Sequence, residues 1–244
     1  MIDHEHTSFP QCFNKDYIAF VKPFYRSIIL VVFTLASVPG RAQNPCAAGE
    51  PYRGCKACGT ALGVKGRRLN VLKNRSAPVN SPSEITVEQI RDPANNSVFK
   101  PEQQVWVVGY VAGVEKGGRE ETCNCEREDL RDIHLNIVAH PSEANDKTKY
   151  VVVEITPRWQ PRFNLDDSNY NAMLLKVRHQ LKGQWVRFEG WMLYDESHEK
   201  EAKTTAPHNV PTCKYDGTDP DICVWRATPW EVHPVTGYSL VQNH

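Results

Sequence analysis

Between residues 105 and 236 the chain runs through five segments that read as β-strands and one with the period of a helix. The order of those segments restricts the fold more tightly than any other feature. Val105 to Val114 (VWVVGYVAGV) is apolar and β-branched with a break at Gly109, and Gly117-Gly118 follows it as a turn. Asp132-Ile133-His134-Leu135-Asn136-Ile137 alternates strictly between polar and apolar, and Tyr150 to Thr156 (YVVVEIT) forms a third strand stopped by Pro157. Asn171 to Lys182 then changes period. Met173, Val177 and Leu181 share one face with Leu174, Lys176, Arg178 and Lys182 take the other, Asn171 offers an N-cap and Gly183 a stop. Trp185 to Tyr194 is a fourth strand, and after a long loop from about 195 to 226 a fifth runs from Ala227 to Thr236. Three strands, a helix and two strands is the chain order of an OB barrel. The expectation is a mainly β, five-stranded OB-like barrel with one helix between strands 3 and 4 and spatial strand order 1-2-3-5-4.

The segments before the barrel read differently. An apolar run, Ile28 to Val38, follows Lys22 and Arg26 and ends at Pro39-Gly40-Arg41-Ala42-Gln43, a pattern that predicts a secretory leader over residues 1–43. Residues 44–100 are rich in Pro, Gly, Asn and basic residues and show little period. They predict an irregular, Cys-containing extension that packs on the barrel of residues 101–240, with short helices possible at 66–75 and from Ser83 through Val87 to Ile90. With 24% charged residues, 40% hydrophobic residues and a formal net charge of zero, the chain is not a disordered tail, a fibre or a polytopic membrane protein. Nor is it a strongly basic nucleic-acid coat. The expectation is a secreted or periplasmic protein without membrane insertion once the leader is removed.

Export makes disulfides the default state of Cys46, Cys55, Cys58, Cys123, Cys125, Cys213 and Cys223, with one cysteine left over. Cys213 and Cys223 close a short Asp/Gly/Pro-rich loop and form the easiest pair. The rival for Cys55-x-x-Cys58 and Cys123-x-Cys125 is a zinc knuckle of four thiolates.

Asp132 and His134 are two apart on one strand and so share a face, as do Glu231 and His233 on the last strand, and Glu154 lies on the third. In the order 1-2-3-5-4 those three strands are neighbours, which brings the acids and imidazoles within reach of one another. Clustered carboxylates repel unless a proton or a cation offsets them. Imidazole with carboxylate suits Zn²⁺ or Mn²⁺, and oxygen-rich sets suit Mg²⁺. His134, Glu154 and His233 are the expected metal ligands. Asp132 and Glu231 serve as base or orienting group, His198 as the acid for a leaving oxygen, and Arg158 as a clamp on phosphate charge. Trp159 and Trp230 are candidate stacking faces for a base or sugar. No organic cofactor is expected. A buried hydrogen-bond network that locks strands together would use the same residues.

Four motifs carry a resemblance: Asp132-x-His134, Glu154-x-Thr156-Pro157-Arg158, Asp195-x-x-His198 and Trp230-Glu231-x-His233-Pro234-Val235-Thr236. Together they resemble a family of secreted, Bacteroidetes-like bacterial proteins with an OB-like core and no settled activity. The resemblance spans roughly residues 105–240 and implies where a site lies, not its chemistry. The functional expectation is therefore a secreted metal-dependent hydrolase, a phosphodiesterase or nuclease acting on nucleic acid or another phosphodiester. The alternatives are a non-catalytic OB module that binds oligonucleotide, glycan or peptide, and a structural envelope protein.

Overall fold

The computed structural model describes Cys46 and residues 51–119, 121–165, 169–214 and 220–242. The expected leader lies outside them. Among the described residues no helix is long and apolar enough to cross a membrane. The elements run α1 (Val64–Lys73), β1 (Ser83–Glu84), α2 (Val87–Arg91), β2 (Gln104–Lys116), β3 (Ile133–Val138), β4 (Val151–Ile155), α3 (Tyr170–Leu181), β5 (Trp185–Tyr194) and β6 (Trp230–Leu240).

The sheet order is β1-β2-β3-β4-β6-β5, and β2 also pairs with β5, which closes a mixed five-stranded barrel of β2 to β6. Counted within the barrel this is the order 1-2-3-5-4 expected from the sequence, with α3 between the third and fourth strands. The pairs β2–β3, β3–β4, β2–β5 and β5–β6 are antiparallel and β4–β6 is parallel. The two-residue Ser83–Glu84 strand, which the sequence reading had placed in a helix, runs parallel to Val105–Trp106. The helix there starts later, capped by a reciprocal Thr86–Gln89 box.

Alternation puts Val105, Val107, Val111, Ile133, Leu135, Ile137, Val151, Val153, Ile155, Phe188 and Val232 inside the barrel, none exposed. Helix α3 covers it with Met173, Leu174, Val177 and Leu181. Its N-cap is Asn169, whose side chain accepts from the N–H groups of Asn171 and Ala172, so the cap falls two residues before the expected one. Gly183, at φ +80°, ends the helix as expected. Strand β6 carries Pro234 in mid-strand. The β5 register shifts opposite it at Gly190, where a Cβ would stand 2.5 Å from the Pro234 carbonyl oxygen.

Disulfides join Cys46 to Cys58, Cys55 to Cys125 and Cys213 to Cys223, leaving Cys123 as a buried free thiol. The Cys213–Cys223 pair is the expected one. The zinc-knuckle alternative is overturned, because three of its four thiolates are tied up in two different disulfides. Segment 51–75 folds onto the barrel's outer side rather than forming a core of its own. Asn74 Nδ2 donates to the carbonyls of Ala57 (3.0 Å) and Cys123 (2.7 Å), and Asn70 Nδ2 donates to that of Cys58 (2.9 Å).

Candidate functional site

Because Ile133, Leu135, Val153, Ile155 and Val232 point into the barrel, the residues between them point out. The register pairs His134 with Glu154 across β3–β4, and Val152 with Glu231 across β4–β6. Asp132, His134, Glu154, Glu231 and His233 therefore meet on one outer patch, as the strand order predicts. The patch is not open to solvent. Lys73 from segment 51–75, Glu121 from the loop after Lys116, and Asp195 and Arg226 from the loop after Tyr194 pack on it, and Asp132, Glu231 and His233 are 0% exposed. Gly117 lets the loop after Lys116 come close: a Cβ there would sit 2.7 Å from the Asp132 carbonyl oxygen.

The patch is a connected chain of charge. His134 Nε2 lies 3.3 Å from Glu154 Oε1 and 3.7 Å from Glu121 Oε1. His233 Nδ1 lies 3.0 Å from Glu154 Oε2 and 3.1 Å from Glu231 Oε1. Arg226 Nη2 donates to Glu231 Oε2 at 2.8 Å, with both side chains fully buried, and Arg226 Nε donates to the Thr228 carbonyl. At the edge, Lys73 Nζ of α1 donates to Asp195 Oδ2 at 2.6 Å. Solvent reaches the patch mainly past His134 and Glu121, whose side chains are 14% and 20% exposed.

Burial opposes the imidazolium of His233, but Glu154 and Glu231 outweigh it and hold that pKa up at about 10. Burial likewise opposes His134, and Glu154 with Glu121 raises it well above its ordinary value. Glu154, despite its burial, is held well below the usual carboxylate range by the two histidines. Glu121 is brought down to about 2, burial being outweighed chiefly by His134. Asp132 goes the other way. Burial first, then the charge of Glu121 and Glu154, pushes it well up.

Asp132 is the unresolved member. Neither of its carboxylate oxygens has a donor. His233 Nε2 also lacks a partner, since its Nδ1 makes both carboxylate contacts. A buried carboxylate without a donor is costly. A proton shared with the adjacent Glu121 relieves that cost, and so does a cation. Donor atoms of Asp132, Glu154 and His233 all lie within 4.8 Å of one another, as do those of Glu121, Cys123 and Asp132. Ligands at about 2.0–2.3 Å from one ion can be no more than about 4.6 Å apart, so either group could hold a metal ion after small adjustments. The first group shares Glu154 and His233 with the expected set of His134, Glu154 and His233, and His134 lies between Glu154 and Glu121.

The remaining expected residues have other partners. Arg158 Nε donates to Asn74 Oδ1 and its Nη2 to the Cys55 carbonyl, so this guanidinium fastens the extension to the barrel. His198 Nδ1 lies 2.7 Å from Glu201 Oε2, with the ring edge-on to Trp225. Trp159 is buried at 1% exposure with its Nε1 donating to the Arg75 carbonyl, and Trp230 is buried at 4% against Phe99 and Tyr194. Neither presents a stacking face. The sequence reading does not reach Glu121, Lys73 or Arg226, and it places Cys123 in a disulfide or a zinc knuckle with Cys55, Cys58 and Cys125 rather than beside the acids. One available signal was that the loop leaves at Lys116 and returns opposite it at Ile133, so residues 117–131 had to stay near Asp132.

No family model matches this chain, and no curated protein matches it. Among solved structures it is similar to Entamoeba histolytica asparaginyl-tRNA synthetase in complex with asparaginyl-adenylate, at 11% identity and a TM-score of 0.29. The match covers 69% of this chain and 25% of the synthetase. The chain thus spans about a quarter of that protein's length, and the likeness carries no functional argument.

Proposed function

We propose that the chain is an exported protein built around a divalent metal ion held by Asp132, Glu154 and His233, and that the ion serves hydrolysis. The observation that carries this reading is Asp132, a fully buried carboxylate with no donor to either oxygen, grouped with a second carboxylate and an imidazole. Three protein ligands are the number that leaves a fourth position free for water or substrate. An ion there would supply Lewis acidity toward water. On the solvent-reached side Glu121, held ionised, would accept the proton and His134, held as imidazolium, would return one, and Glu231, itself anchored by Arg226, would orient His233 through Nδ1. Three disulfides fit an oxidising compartment and support export.

A small phosphodiester is the substrate class to test first. Arg158, His198, Trp159 and Trp230 add nothing to its recognition, so it would have to engage the site through Glu121 and His134. The same loss of stacking faces weakens the reading as an oligonucleotide-binding module. The complete burial of Asp132, Glu231 and His233 favours a second reading, a closed metal centre that clamps the extension to the barrel without turnover.

The test is elemental analysis of protein purified without chelators, with hydrolysis of bis-p-nitrophenyl phosphate and of single-stranded nucleic acid assayed before and after EDTA. Bound metal with EDTA-sensitive hydrolysis that Asp132→Asn abolishes is the expected result. Bound metal without hydrolysis, together with a large loss of thermal stability on chelation, selects the closed centre. A metal-free wild type that also takes up no added Zn²⁺, Mn²⁺ or Mg²⁺ overturns both.

A further inference from the structure

Six of the seven cysteines among the described residues are paired, and the seventh, Cys123, is a buried thiol beside the acid cluster. It lies in the loop pinned by the Cys55–Cys125 disulfide, its carbonyl accepts from Asn74, and its Sγ is 3.7 Å from Glu121 Oε2. Seven cysteines necessarily leave one over, and what marks Cys123 is its surroundings: Cys123, Glu121 and Asp132 form a second group of donor atoms within 4.8 Å of one another.

Asp132 belongs to both groups, and both of its oxygens lack a donor. One oxygen without a partner would suit a single ion. Two, on a residue shared between two donor groups, suit a bridge. We infer that the site holds two metal ions bridged by the Asp132 carboxylate, the second bound by Cys123 Sγ and Glu121. The inference rests on the metal-centred reading of the site and extends it.

Charge and ligand chemistry fit. The pairs Arg226–Glu231 and Lys73–Asp195 are neutral in themselves. Two divalent ions would then face four anions, Glu121, Cys123, Asp132 and Glu154, so with His233 and His134 both neutral the buried patch carries no net charge, and with His134 protonated it carries a single positive one. A thiolate selects a borderline or soft ion such as Zn²⁺ over Mg²⁺ or Ca²⁺. The two positions would differ, one with nitrogen and oxygen ligands and the other with sulfur and oxygen.

The experiment is reconstitution of EDTA-treated, full-length exported protein with Co²⁺, read by metal-to-chain stoichiometry and by the near-ultraviolet sulfur-to-cobalt charge-transfer band. Wild type is expected to bind two Co²⁺ and show the band. Cys123→Ser should bind one and lose it, and Asp132→Asn should lose both ions. Disulfide mapping of Cys123→Ser checks that Cys55–Cys125 is retained. Should that variant fail to fold, the wild type decides: two Co²⁺ per chain with sulfur in the cobalt X-ray absorption spectrum support the second position, and one Co²⁺ per chain overturns it. One ion without a sulfur signal, unchanged by Cys123→Ser, overturns the second position and leaves the three-ligand site standing. One ion whose sulfur signal disappears in Cys123→Ser also overturns it, in favour of a single mixed site. No ion in either protein overturns this inference and the metal-centred function together.

Discussion

If Asp132, Glu154 and His233 take up a divalent ion, the ion has to displace the protons that these residues hold without it, and the affinity must follow pH. His233 is held at about 10 by Glu154 and Glu231, so the metal-free chain keeps this proton from pH 6 to 8. Each displaced proton makes the affinity tenfold tighter per pH unit, about 1.4 kcal/mol. His233 alone therefore gives about a 100-fold gain between pH 6 and 8. Asp132, pushed up by burial and by Glu121 and Glu154, adds a second tenfold per unit wherever it keeps its proton, to a limit of about 10⁴-fold over that range. The measurement is competition with a chromophoric chelator at fixed pH, with calorimetry in two buffers of different ionisation enthalpy to count protons released. Using Cys123→Ser keeps a thiol-bound ion from contributing. Asp132→Asn, if it binds at all, should release one proton fewer. An affinity that does not change from pH 6 to 8, with no proton released, would refute the charge assignment and with it the idea that metal and protons compete for this site.

The metal-free protein should itself respond to pH. His233 is raised, so its contribution to stability is complete below about 6.5 and is lost as pH climbs toward about 10. Glu121 is lowered to about 2, so its contribution is complete above about 4.5 and is lost as pH falls toward 2. Urea unfolding should therefore show a maximum between these limits, with a decline on the alkaline side of the order of a few kcal/mol that bound metal removes. Arg226→Met leaves the fully buried Glu231 with only His233, which it shares with Glu154, and should cost about 3–5 kcal/mol, seen as a fall in Tm of roughly 6–20 °C. A cost below about 1 kcal/mol would show that the pair is not desolvated as described. The Cys55–Cys125 disulfide spans 70 residues of sequence, and replacing both with Ala should cost about 4 kcal/mol and raise amide exchange in residues 51–75. His198→Ala should leave metal content and proton release unchanged, because His198 packs on Glu201 and Trp225. Loss of metal in that variant would return His198 to the site.

Much of the barrel was legible in the sequence because strand and helix periods are local properties. The alternation of Asp132 to Ile137, the four-residue spacing in Met173, Val177 and Leu181, and the breaks at Gly117-Gly118, Pro157 and Gly183 mark elements from a few neighbours alone. Their order then leaves few ways to close a sheet. The shared face of Asp132 with His134 and of Glu231 with His233 was legible for the same reason, since a period of two is a property of the backbone.

What the sequence could not express is which residues from far-off segments close over that face. Arg158 follows β4 directly and reads as a phosphate clamp. Only the folded chain shows its guanidinium spent on Asn74 and the Cys55 carbonyl, more than eighty residues away. Trp230 reads as a stacking surface until Phe99 and Tyr194 cover it. Cys123 reads as half of a disulfide until Cys125 takes Cys55 and leaves it against Glu121 and Asp132. The charge state of each group is likewise a tertiary property. It depends on burial and on partners brought from β3, β4, β6 and two loops, and Coulomb interactions are set by distance in space, not along the chain. Local periods determined the barrel and the facing of its acids and imidazoles. Long-range packing decided that they are buried, that donor atoms of Asp132, Glu154 and His233 converge, and that a lone thiol stands beside them.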